Sequence, residues 1–363
     1  MTNTSTGKHL AILSQLLLAP GETADFARAQ CVEMLGLLPE DREPLLALAG
    51  SHHVVVRAVR VLQRIAEASG STDWAEWAGR SVEHELLRIR AALQSLQSVC
   101  DAFREEDCDL TVIKSLDHWP DLGSDLDLYT NADPVEVLTI MAEHFQARLE
   151  ARSWGDRLAN KWNFVVPHLN ELIEIHVGRL GQTGEHVAFA QAIPSRAIHL
   201  QAGAHNFSVA CPEHRLIIAT LQRMYRHFYL RLCDVVDTVQ LLETQPISYQ
   251  LLKSAADAAG IWEGVATLLC IVSDYAESYR GVGIALPDSV RSCARLSGDR
   301  VSFQKGFLRV PILPESVGLY ASELATLMRN GQIRGSLRLS LLPCLATAAM
   351  LEQKLTGSDK GIW

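Results

Sequence analysis

Apolar positions recur every three or four residues over roughly the first 105 residues, the spacing of an amphipathic helix. Helices are expected over Leu10 to Leu18, Phe26 to Leu38, Pro44 to Leu48, Val54 to Ala68 and Val82 to Phe103. In the last of these, Leu86, Ile89, Leu93, Leu96, Cys100 and Phe103 form one seam, with Glu85, Arg88, Arg90 and Gln94 turned elsewhere. From about residue 109 to 178 the period drops to two, predicting strands at Leu110 to Ile113, Asp125 to Tyr129, Trp162 to Val166 and Leu172 to Val177. One helix interrupts them. Asp133 can cap it, Pro134 suits its first turn, Glu136 completes a capping box, and Val137, Ile140, Met141 and Phe145 form its buried stripe. After about 206 the helical period returns at Pro212 and runs with few breaks towards Leu242, with helices over much of the remainder to Leu355. Gly281 to Pro287 and Ser297 to Pro314 read as loops or short strands, and Leu337 to Leu351 as a buried helix. No fixed repeat is found, which argues against a solenoid. The expected class is α+β: a small mixed sheet in a core over residues 106 to 205, flanked by helical regions over 1 to 105 and 206 to 363.

The chemistry concentrates where the period changes. Between Val112 and Tyr129 an apolar strand and a turn lead into an alternating strand that opens on two aspartates. Alternation sends Asp125 and Asp127 to one face and Leu126 and Leu128 to the other. Two parallel carboxylates repel unless a cation lies between them, so such a pair suits Mg²⁺ in phosphoryl chemistry. An isolated Asp-x-Asp also suits the solvated face of an edge strand. In the strand ending at Val177, Glu174 and His176 share one face. If that strand lies beside the first, Glu174 completes a three-carboxylate cluster as metal ligand or base; otherwise it is a solvent-facing acid.

A strand, a Ser-containing turn, then Ser-Asp-Leu-Asp-Leu from Ser124 to Leu128, and later an apolar-Glu-apolar-His strand resemble the polymerase-beta-type nucleotidyltransferase superfamily. The nearest likeness is to a bacterial group of uncharacterised nucleotidyltransferase-like proteins; it covers residues 110 to 178 well and 212 to 242 loosely. The resemblance implies transfer of a nucleoside monophosphate from a triphosphate, ATP among the candidates, to a hydroxyl acceptor. Mg²⁺ or Mn²⁺ would be held by Asp125, Asp127 and Glu174. It also implies a Gly-Ser pair opening a helix whose N-terminus holds the triphosphate. Here the pair is Lys114-Ser115, ten residues before Asp125, and Lys114 would offer an ammonium to the β or γ phosphate where it is not simply solvated. Ser124 and His176 complete the nucleotide-side candidates. In the helix from Pro212, Arg223, His227, Arg231, Asp234 and Thr238 recur every three or four residues, a polar stripe that could supply cations to phosphate or face solvent. A non-catalytic module of the same design, binding a nucleotide or a protein, is the alternative.

Bulk properties narrow the partners. Charged residues make up 21% of the chain and the formal charge is −9, which gives no broad field for nucleic acid. The acceptor is therefore left open among small molecules, peptides, proteins and an RNA end. No stretch is long and apolar enough for a membrane helix, and the beginning has no signal-peptide form. Eight cysteines, at 31, 100, 108, 211, 233, 270, 293 and 344, lack CxxC spacing, so reduced thiols and a cytoplasmic setting are expected. His52 and His53 lack partners at zinc spacing, and no GxxxxGK[ST], GxGxxG or GxSxG segment occurs.

Overall fold

The switch from helical to alternating period marks the entry into a mixed sheet. The computed structural model describes residues 2–19, 37–311, 314–315 and 317–342. The helix expected over Phe26 to Leu38 lies, except for its last two residues, outside the described residues, as do Cys31, Cys344 and the Leu337 to Leu351 segment beyond residue 342. The helices are α1 (Thr2–Leu18), α2 (Arg42–Ser51), α3 (Val55–Ala68), α4 (Thr72–Glu105), α5 (Pro134–Phe145), α6 (Trp154–Ala159), α7 (Val187–Gln191), α8 (Pro212–Thr220), α9 (Leu232–Thr244), α10 (Tyr249–Ala259), α11 (Trp262–Arg280), α12 (Asp288–Arg291), α13 (Val317–Arg329) and α14 (Ile333–Ser340). The strands are β1 (Thr111–Val112), β2 (Asp125–Thr130), β3 (Arg148–Leu149), β4 (Lys161–Val165), β5 (Leu172–Val177), β6 (Ile198–Ala202), β7 (His205–Val209), β8 (Tyr229–Leu230), β9 (Ser302–Gln304) and β10 (Phe307–Arg309). The fold is α+β.

Seven strands run in the order β3-β4-β5-β2-β1-β7-β6. β2 and β5 pair in parallel, as do β1 and β7, and the other neighbours are antiparallel. The β6–β7 hairpin was not expected from the alternation; it joins the sheet through Val112 opposite Val209. Leu126, Leu128, Ile173 and Ile175 are fully buried on the face opposite the acids, where Ile89, Leu96 and Phe103 of α4 and Val137 and Met141 of α5 join the same core. Each such side chain contributes roughly 1.5–3 kcal/mol by leaving water. α5 starts as its sequence requires: Val135 N donates to Asp133 Oδ1 at 2.8 Å and Asp133 N to Glu136 Oε2 at 3.0 Å. Arg88, on the polar side of α4, ties that helix to the sheet. It pairs with Glu85 and Glu171 and donates to the carbonyls of Leu122 and Gly123, just ahead of β2.

The helices before and after the sheet share a second core. Leu13 of α1, Leu45 of α2 and Val59 of α3 belong to one buried cluster with Val235 of α9 and Leu269 of α11, and the hydroxyls of Ser14 and Tyr275 lie 2.7 Å apart across it. A three-stranded sheet, β8-β10-β9, lies beyond α8. In α14 Leu339 is buried but Leu337 is exposed, so the described part of the expected buried helix is amphipathic instead. Among the described residues no helix is long and apolar enough to cross a membrane. The six described cysteines are free thiols.

Candidate functional site

The parallel register of β2 and β5 sets Asp127 opposite Glu174 and Asp125 opposite Leu172. Neighbouring residues of a parallel pair face the same way, so two acids about fifty residues apart in sequence stand side by side. Asp127, Glu174 and His176 bring ligand atoms within 4.8 Å of one another. His176 Nε2 donates to Glu174 Oε1 at 2.9 Å and lies 3.7 Å from Asp127 Oδ1. Asp125 shares the face two residues earlier. Burial, reinforced by the charges of Asp127 and Glu174, pushes its carboxyl up to about 6.

Two ammonium groups enter this cluster. Lys114 Nζ pairs with Asp127 and lies 3.4 Å from Glu174 Oε1. Lys161, at the start of β4, lies 2.9 Å from Glu174 Oε2 and 2.9 Å from Asp156 Oδ1. Burial pushes the Glu174 carboxyl upward, but Lys114 and Lys161 outweigh it and hold the group well below the usual range. Burial likewise pulls the Lys114 ammonium down, and Asp127 and Glu174 outweigh that effect and raise it. Lys161 was not among the candidates read from the sequence. The signal was available in the alternation of β4, since Lys161 lies opposite His176 and Asn163 opposite Glu174, but only once β4 is known to flank β5.

The turn before the acids departs from what the resemblance implies. Lys114 has φ 62° and ψ −55°, and Ser115 N donates to Ile113 O at 2.6 Å, closing a three-residue turn in a region that favours glycine. The chain then enters a short 3₁₀ turn, Ser115–His118, rather than a phosphate-cradling helix. Ser115 is buried; its Oγ donates to Asp125 O at 3.2 Å and accepts from Asp127 N at 2.7 Å. Its hydroxyl therefore holds the head of β2 in place and is not free for a phosphate. Ser124 is exposed just ahead of Asp125.

The expected stripe on one helix is also corrected. α8 widens into a π-helical stretch, Leu221–His227, and ends at Phe228 with φ 54°; β8 comes next, and Arg231 precedes α9. The wider turn rephases the side chains, so 223, 227 and 231 do not share one helical face. Arg223 is 1% exposed, with its Nε 2.8 Å from Asp234 Oδ2, which commits it to an internal ion pair. His227 is pushed down to about 2 by burial and then by Arg226, Arg223 and Lys114, and so remains neutral. Arg231 places its guanidinium 5.9 Å from the Tyr229 ring centre, and its backbone N donates to Asp234 Oδ2 at 2.6 Å. The arginine of this segment that faces the acidic cluster's side of the fold is Arg226, which lines a cavity of about 40 Å³ with Lys114, His176, Gln182 and Gln222. Sequence spacing tuned to 3.6 residues per turn could not select it.

The donor set fits a hard divalent cation. Asp127 and Glu174 offer carboxylate oxygens and His176 a nitrogen that Mn²⁺ accepts; Asp125, expected in the same cluster, shares their face but is not among the residues whose ligand atoms converge, because it lies opposite Leu172 rather than Glu174. Among the described residues, Asn163 Oδ1 and His176 Nδ1 are buried here without a hydrogen-bond partner. An ion held by Asp127 and Glu174 would take the place of the Lys114 ammonium. Compared with family models, curated proteins and solved structures, the chain matches none. The functional reading therefore rests on the chemistry of these residues.

Proposed function

We propose that this chain is a metal-dependent nucleotidyltransferase, moving a nucleoside monophosphate from a nucleoside triphosphate such as ATP to a hydroxyl acceptor. The observation that carries the proposal is the parallel register that pairs Asp127 with Glu174 on the face bearing Asp125. Asp125 and Asp127 would hold Mg²⁺ or Mn²⁺, which would supply neutralisation and orientation of the triphosphate. Glu174, kept ionised beside Lys114 and Lys161, acts as a charged ligand; two nearby ammonium groups make it a poor base. Lys114, once released from Asp127, and Arg226 offer cations to the departing pyrophosphate. Such a site works by positioning and charge compensation. Acceptors in keeping with a chain of charge −9 are a small molecule, a peptide, a protein or an RNA end presented locally, in the cytoplasm.

One observation favours a second reading. Lys114 already bridges Asp127 and Glu174, as an internal cation would in a module that binds nucleotide, or a protein, without turnover. Thermal stabilisation by each nucleoside triphosphate, with Mg²⁺ and with EDTA, followed by a pyrophosphate-release assay on a metabolite extract, separates the two. Mg²⁺-dependent stabilisation with release supports transfer. Stabilisation that persists in EDTA without release supports a nucleotide-binding module, and no stabilisation under either condition removes nucleotide transfer and leaves only a module that binds a protein.

A further inference from the structure

We infer that a second site, separate from the acidic cluster, binds a phosphorylated small molecule at the carboxyl ends of β2 and β5. A cleft of about 890 Å³ opens there, lined by Asn131 after β2, Gly178 and Arg179 after β5, and Arg334 and Arg338 of α14. Its size is that of small-molecule sites, and the ends of parallel strands are where open α/β sheets place ligands. The inference does not depend on the nucleotidyltransferase reading.

The charge of the cleft points to the ligand. Arg179 is half-buried and donates from Nη1 to Leu158 O at 3.3 Å; Arg338 donates from Nη1 to Gly184 O at 3.1 Å. Among the described residues neither of these, nor Arg334, pairs with a carboxylate. The two acids of the lining are committed elsewhere. Glu185 accepts from Gln182 N, Thr183 N and Thr183 Oγ1 at 2.8–3.0 Å, and Asp133 caps α5. Burial and the nearby Arg338 both depress the Arg179 guanidinium. Arg334 and Arg338 stand one turn apart on α14, an arrangement that destabilises a helix unless an anion joins them. Guanidinium groups recognise phosphate through paired N–H donors, so three converging on one cleft suit a multiply charged oxyanion.

The cleft is built. α14 docks close to the 181–186 loop because residue 335 is glycine: a Cβ there would meet Glu185 O at 3.0 Å. Gly184, at φ 71°, lies against Arg179, where a Cβ would meet the Arg179 Cδ at 2.4 Å. Exposed Ile333 and half-buried Val187 give the lining an apolar side, which suits an organic phosphate.

The test is calorimetric titration of the full chain with inorganic pyrophosphate in EDTA, where the acidic cluster has no divalent ion to recruit an anion. Saturable binding is expected, weakened about tenfold by Arg338→Gln or Arg179→Gln, the loss of one charge-assisted contact. Arg334→Gln, at an exposed position of α14, weakens binding in the same direction and serves if Arg179→Gln fails to fold. Arg64→Gln, at an exposed position of α3 that lines neither site, leaves it unchanged, and Arg226→Gln reports any binding at the acidic cluster instead. No saturable binding up to the millimolar range, parental affinity in all three cleft variants, or loss in Arg226→Gln alone would each overturn the inference.

Discussion

Replacing Lys114 by glycine separates backbone strain from charge at the acidic cluster. In the native chain a lysine holds φ 62° and ψ −55°; a non-glycine residue there costs about 1–3 kcal/mol, which glycine relieves. The same change strips Asp127 and Glu174 of the ammonium they share. Removing one partner of a largely buried ion pair costs about 3–5 kcal/mol, and Lys161 and His176 remain beside Glu174, which keeps the loss near the lower end. In EDTA, Lys114→Gly should therefore be at most about 2 kcal/mol less stable than the parent by urea unfolding. Mg²⁺ should restore the variant, by about 2.7 kcal/mol at a hundredfold excess over its dissociation constant. The parent gains less, because there the ion has to displace an ammonium. Lys114→Met isolates the terms, since it keeps the strain and loses the charge, and it should be the least stable of the three without metal. If Lys114→Met matches or exceeds the parent in EDTA, the ion pairs carry no stability; if Mg²⁺ shifts the parent and Lys114→Gly equally, Lys114 does not occupy the metal position.

Other perturbations probe single elements. Asp127→Asn keeps the size but removes a ligand charge, so circular dichroism should be unchanged while Mg²⁺-dependent nucleotide stabilisation disappears; retained stabilisation would exclude Asp127 as a ligand. Ser115→Ala deletes the bonds to Asp125 O and Asp127 N and should cost about 1–3 kcal/mol in urea unfolding, whereas a phosphate-binding Ser115 would show unchanged stability and weaker nucleotide binding. His52 is fully buried, accepts from Leu232 N and donates to Gly306 O, both at 2.8 Å, and burial pushes it down to about 4. Its neutral form is the folded form, so its stabilisation is present above the unfolded value near 6.5 and is lost as pH falls towards 4. From pH 7 to 5 the unfolding free energy should drop by roughly 2 kcal/mol through this residue. His52→Gln should show a correspondingly flatter dependence, and an unchanged slope would refute the assignment.

Much of the local structure was legible because a strand and a helix impose their own periods on any sequence that folds into them. Alternation alone sets Asp125 with Asp127 and Glu174 with His176, and the cap at Asp133 begins α5 where its side chains require. Elements whose periods are short or irregular were not legible in this way. β6 and β7 are five residues each and carry mixed patterns, and the π-helical stretch over Leu221–His227 breaks the phase on which the Arg223, His227 and Arg231 stripe was drawn.

What the amino-acid order determined by itself is therefore the direction of each side chain relative to its own element, a consequence of backbone geometry within a few residues. Which elements become neighbours was decided only in three dimensions. That choice put β5 beside β2 rather than elsewhere in the sheet, brought Lys114 and Lys161 between the acids, and joined α1 to α11 in one core. It also set Arg179 and Arg338, far apart in sequence, on one cleft. Burial of apolar faces selects such pairings across the whole chain at once, and the charges arrive where the packing carries them.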